Sequence, residues 1–166
     1  RGKFILKNKI AEAIVLRKKD KLIESNQLLL QLYKDYPEDS YLNYQIAWSF
    51  DTLGEESAAV PYYEKAIAGN LTSKDLQNAY LGLGSTLRTL GRYEEAEIIL
   101  RKGMSLFPEN NGLKSFYAMT LYNLNQHQQA MEVLLTLLAT TSSDRHINDY
   151  KKAILFYADK LDDVWS

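Results

Sequence analysis

The chain has 166 residues, a formal net charge of −1, no cysteine and a hydrophobic fraction of 46%. The near-neutral balance argues against a general nucleic-acid binder, which shows a large basic excess. Missing cysteines exclude a disulfide framework or a thiolate metal site, and no apolar run approaches the roughly 20 residues that span a bilayer. Such a composition suits one compact unit or one repeat array. The absence of cysteine fits a cytoplasmic setting. The chain opens on Arg1-Gly2 and not on Met, which points to a trimmed or excised piece of something longer.

Lys3 to Lys18 reads as a helix with Phe4, Ile5, Leu6, Ile10, Ile14, Val15 and Leu16 as its apolar positions. Lys7, Lys9, Arg17 and Lys18 are its polar complement. Two readings of this basic end stand: a solvated face whose cations suit the helix C-terminus, or a patch for an acidic partner. Lys21 to Tyr36 is the partner helix, with Ser25 as a small residue on its stripe and Pro37 as its stop. Asp39 or Ser40 caps Tyr41 to Leu53, since a short oxygen side chain accepts from orphan N–H groups. Glu55 to Ala68 follows the break at Gly54. Pro61 falls early in it, where a bend and no break is expected.

Thr72 or Ser73 caps Lys74 to Leu90. The stretch Tyr80 to Pro108 then reads as a hairpin. Tyr80, Leu83, Gly84 and Leu87 share one face, and Tyr93, Ala96, Ile99, Leu100 and Gly103 another. Gly91 suits the positive φ of the turn, Glu94-Glu95 the start of the second helix, and Pro108 its end. Leu113 to Leu124 and His127 to Ala139 form the next pair, with Asn125 at the break. Ser143 or Asp144 caps a final helix, Arg145 to Leu161, after which Asp162 to Ser166 frays unless Trp165 packs back.

The spacing Tyr80-x-x-Leu83-Gly84-x-x-Leu87, then Ala96-x-x-x-Leu100, then Pro108, resembles the tetratricopeptide repeat (TPR). The same offsets recur 34 residues on, at Lys114, Tyr117, Ala118, Leu121, Ala130 and Leu134. They recur 37 residues back, at Asn43, Ile46, Ala47, Phe50, Ala59 and Tyr63. Counting 34 further back puts Glu12 where a large apolar residue is expected; a two-residue slip onto Ile10, Ala11 and Ile14 fits better. The resemblance implies an all-α fold, a right-handed α-α superhelix of about four helix hairpins plus a C-terminal capping helix. A single array fills 1–166, with repeats at 3–37, 40–71, 75–108 and 111–142 and the cap at 145–161. That last helix would cover the apolar face a stack leaves open at its end.

No catalytic motif appears: no phosphate-cradling GxGxxG after a strand, no P-loop, no HExxH. His127 and His146 have no second ligand at helical spacing and read as packing or surface residues, so no metal or cofactor is expected. Binding remains. In proteins resembling this one, the first helices of the repeats line a concave groove that holds a peptide or a partner element. The resemblance implies groove positions at Tyr41, Tyr44, Gln45 and Trp48; at Asn78, Leu81, Ser85 and Arg88; and at Ser115, Phe116, Met119 and Tyr122. The last three of these, the rings of Phe116 and Tyr122 and the thioether of Met119, equally suit burial under the final helix. Some chaperone-binding members clamp a C-terminal carboxylate with Lys, Asn and Arg. The matching places here, Ile10, Ile14, Gln45, Asn78 and Gly82, hold no cation, so that peptide class is not expected.

The leading expectation is a non-enzymatic protein–protein interaction scaffold. A self-assembling structural module, or a ligand- or peptide-sensing domain of a larger regulator, is the alternative.

Overall fold

A computed structural model describes residues 1–166, all of whose regular structure is helical. The helices are α1 (Gly2–Lys18), α2 (Leu22–Tyr33), α3 (Ser40–Thr52), α4 (Glu56–Ala68) and α5 (Ser73–Thr89), then α6 (Tyr93–Leu106), α7 (Asn111–Asn123), α8 (His127–Thr141), α9 (Arg145–Asp149) and α10 (Lys151–Tyr157). They form two compact units, Arg1–Gly91 and Arg92–Ser166. α5 and α6, the two arms of the hairpin expected over Tyr80 to Pro108, therefore belong to different units.

Side-chain oxygens start four of these helices. Asp39 accepts from the Leu42 amide at 2.8 Å, Thr72 from Asp75 at 3.2 Å, and Asn110 and Asp144 from Leu113 and Ile147 at 3.1 Å. Each satisfies one of the N–H groups that a helix start leaves without a partner. Breaks inside the helix pairs share another device. Asp20, Gly54, Gly91 and Asn125 all take positive φ, at 62°, 72°, 74° and 61°. Their numbers differ by 34, 37 and 34, the same intervals as the packing pattern. Glycine and asparagine reach this conformation at little cost, which made three of the four legible; Asp20 shares asparagine's tolerance. α4 runs through Pro61 without a break, as expected.

In the first unit α1 packs on α2, α2 on α3, α3 on α4 and α4 on α5, and α3 also touches α1 and α5. Leu6, Ile10, Ala13, Leu29, Leu42 and Ile46 form its buried core. Small residues sit where backbones draw close. Ser25, fully buried, donates to the Ala13 carbonyl at 2.7 Å. Ala47 and Ala59 are likewise sealed. Ala13 lies 34 before Ala47, and Ser25 lies 34 before Ala59. This corrects the two-residue slip expected for the first helix: Ala13 holds the small-residue place while Ala11 is exposed. Glu12 is tolerated because its position faces solvent here. On the flank of the core, Tyr62 meets Tyr33 edge-on at 5.3 Å and stacks on Phe50 at 5.6 Å.

In the second unit α6 packs on α7, α7 on α8, and α8 on α9 and α10. Ala96, Leu100, Leu113, Ala118, Leu121 and Ala130 are buried. The expected cap departs from its sequence reading. It is two short helices hinged at Tyr150, whose amide bonds back three residues to Ile147 and tightens the turn. It leaves Leu134 and Leu138 of α8 about two-fifths exposed. Trp165 does pack back, with its ring 6.0 Å from Phe156.

Candidate binding face of the first helices

The face in question is built on α3. Tyr41, Tyr44, Trp48 and Asp51 recur at helical spacing along it, and α1 and α5 flank it. Trp48 is its most open aromatic, 41% exposed, and its ring lies 5.9 Å from that of the buried Tyr44. Of the remaining expected groove residues in this unit, Gln45 is buried, Leu81, Ser85 and Arg88 are half-buried, and Asn78 is exposed.

On the α1 side, Arg17 folds over Trp48. Its guanidinium carbon stands 3.9 Å from the ring centroid, and Nη2 donates to Gln45 Oε1 at 2.8 Å. Nη1 is sealed from solvent and has no acceptor. The contact combines cation–π attraction with an oriented hydrogen bond. Burial lowers the Arg17 pKa, while the hydroxyls of Tyr44, Tyr41 and Tyr63 oppose the shift; arginine stays charged regardless. Arg17 is thus neither a solvated surface cation nor part of an exposed basic patch, the two readings its sequence position suggested. Its signal lay in the stripe Ile10, Ile14, Arg17, which carries the cation one turn beyond the apolar run on the same face.

Opposite, between α3 and α5, lies an open cavity of about 440 Å³. It is lined by Tyr44, Trp48, Asp51, Thr52, Tyr63, Asn78, Leu81 and Gly82. Gly82 makes room for its floor: a Cβ there would stand 2.6–2.8 Å from the Tyr63 ring, closer than atoms approach. Tyr63 can therefore lie against α5 and donate to Asp51 Oδ2 at 2.5 Å. Thr86 reaches the same carboxylate at 2.9 and 3.0 Å. Asp51 ties three helices together through neutral hydroxyls. Burial holds its carboxyl above the ordinary range; the hydrogen bonds from Tyr63 and Thr86 oppose this, and Glu56 adds to it. Tyr63 is pushed upward by burial first and by the Asp51 charge next, and Tyr44 is pushed up to about 12 by burial and then by Asp75. Asp51 and Tyr63 were missed as site residues. The α3 stripe read as ending at Trp48 runs one turn further.

Toward the helix starts a second cavity, of about 460 Å³, opens among Lys3, Leu6, Lys7, Ile10, Ile14, Asp39, Tyr41 and Asp75. Two lysines and two carboxylates line it beside apolar side chains.

In the second unit, Phe116 is half-buried, while Met119 and Tyr122 are 38% and 62% exposed. The Tyr122 ring rests 4.9 Å from His127. α10 packs on α8, and Met119 and Tyr122 stay open. No three His, Asp or Glu side chains gather as a metal site would require, and no helix is long and apolar enough to cross a membrane.

Comparison with known proteins agrees with this architecture. A MamA mutant matches with a TM-score of 0.67 at 20% identity, over 76% of this chain and 72% of that one. A putative kinesin light chain from Podosopora anserina, with nearly identical TPR-like repeats, matches with a TM-score of 0.70 at 17% identity, over 95% and 86%. A MamA double mutant matches with a TM-score of 0.67 at 14% identity, over 95% and 96%. At these identities the likeness is one of fold. No curated protein matches the chain in sequence. The family model for the tetratrico peptide repeat matches residues 40–161, most of the chain, and the chain belongs to that family.

Proposed function

We propose that the chain is a non-enzymatic interaction scaffold, one TPR array that holds a segment of a partner protein against the first-helix face. Repeat solenoids generally serve as extended binding surfaces. The observation that carries the reading is Trp48: a large ring left two-fifths exposed on α3, backed by Tyr44 and pinned by Arg17. Rigid aromatic anchors of this kind dominate binding energy where a partner excludes water from them. A carboxylate-clamp ligand is not part of the proposal, since Arg17 is engaged by Gln45 and Trp48. Partner capture from native extract by the intact chain and by Trp48→Ala with Arg88→Ala tests it. Loss of partners by the double variant is expected; equal recovery by both overturns it.

One observation favours self-assembly as a second reading. Met131, Leu134 and Leu138 of α8, with Leu155, Phe156 and Trp165 beyond it, leave many apolar side chains about 40% or more exposed, except Leu155 at 38%. Contiguous exposed apolar surface marks an interaction site more often than chance. Sedimentation over a wide concentration range separates the readings, and a strict monomer removes the second.

A further inference from the structure

We propose that the cavity between α3 and α5 receives a basic side chain, lysine or arginine, from the bound segment. The inference rests on the groove reading above and names the chemistry of its ligand. Asp51 lines the cavity, and the only groups donating to its carboxylate are the hydroxyls of Tyr63 and Thr86. None of the chain's ion pairs includes it. A half-buried carboxylate held only by neutral donors keeps its charge uncompensated, and the part of it taken out of water makes that costly. The other walls fit the same guest. Trp48 presents an open aromatic ring, backed by the buried Tyr44 and Tyr63, and the negative face of such a ring attracts ammonium and guanidinium groups. Asn78 and Thr52 supply oxygen acceptors for the remaining N–H groups. Trp48 already seats one cation of this chain, Arg17, over its ring.

An acidic guest is the rival, with Arg17 as its receptor. The geometry is against it. Arg17 has one nitrogen sealed from solvent, another committed to Gln45, and its face covered by Trp48. Asp51 opens on free space.

The test uses capped hexapeptide pools, randomised at five positions and carrying Lys, Arg, norleucine, Gln or Glu at the third. Binding is read from Trp48 emission in the Trp165→Phe chain, the protein having two tryptophans. The Lys and Arg pools are expected to act at about tenfold lower concentration than the norleucine pool, a gap that one desolvated cation–π contact supplies. Asp51→Asn should erase that gap and leave the norleucine response in place. Because Asp51 also joins three helices, the pool comparison on the unsubstituted site stands alone if the variant fails to fold. Equal response to Lys and norleucine overturns the inference and spares the groove. A Glu pool that acts first overturns it in favour of Arg17. Silence from all five pools also overturns it, and partner capture then decides separately whether the groove is used.

Discussion

The first-helix faces of the two units follow one repeat pattern, and they differ. Around α3 the groups hold one another: Trp48 by Arg17, Arg17 by Gln45, Tyr63 by Asp51, and Asp51 again by Thr86. On α7, Met119 and Tyr122 are more open, and the Tyr122 ring rests against His127. Second helices diverge too, and here the difference falls within the second unit as well. Tyr63 is 3% exposed and Leu100 fully buried, while Leu134, in the equivalent place, is 40% exposed. The lesson is that a shared repeat pattern sets which face a residue occupies. What the next element places over that face decides its energetics. α5 supplies a glycine and a threonine around Tyr63 and Asp51; α9 and α10 cover α8 only in part.

Truncation should expose this contrast most strongly. Tyr63→Ala removes a buried ring and one of two donors to Asp51, and a loss of about 3–5 kcal/mol is expected. Leu134→Ala should cost about 1 kcal/mol or less, because its side chain is already part-solvated. Urea unfolding of both variants checks the pair, and equal losses would break the comparison. Overpacking comes next. Gly82→Val forces a branched side chain into the Tyr63 ring, with a loss of about 1–3 kcal/mol expected by thermal unfolding.

Asp51 sharpens the contrast through pH. Its folded carboxyl lies above the ordinary value of 3.8, so the folded state binds the proton more tightly than the unfolded state. The resulting stabilisation is complete below the unfolded value and is lost as pH rises through the folded one. A stability profile across that window should fall with rising pH by a component that Asp51→Asn lacks. If the variant keeps the same component, the assignment to Asp51 fails. Smallest of all, Met119→Ala and Tyr122→Ala should each change stability by within about 0.5 kcal/mol, as open surface positions do. Their value is as controls: partner capture that survives both but not Trp48→Ala assigns binding to the first unit alone.

The sequence by itself determined the helices, their order and most of their stops. These depend on neighbours within a turn or two: apolar residues at three- and four-residue spacing, caps at Asp39 and Thr72, left-handed breaks at Gly54, Gly91 and Asn125. It also carried the repeat, because small residues such as Ala47, Gly84 and Ala118 recur wherever helices pack closely. The register of α1 is legible as well, since Ala13 stands 34 residues before Ala47. Tertiary structure decided the rest. Arg17 meets Gln45 across 28 residues, and Thr86 meets Asp51 across 35. A local stripe places such a cation or carboxylate on the right face, but its partner and its burial arise only when a remote helix takes the water away. The open face of α8 is the converse case: its leucines promise burial, and only the short, hinged helices after it determine that the promise is partly unmet.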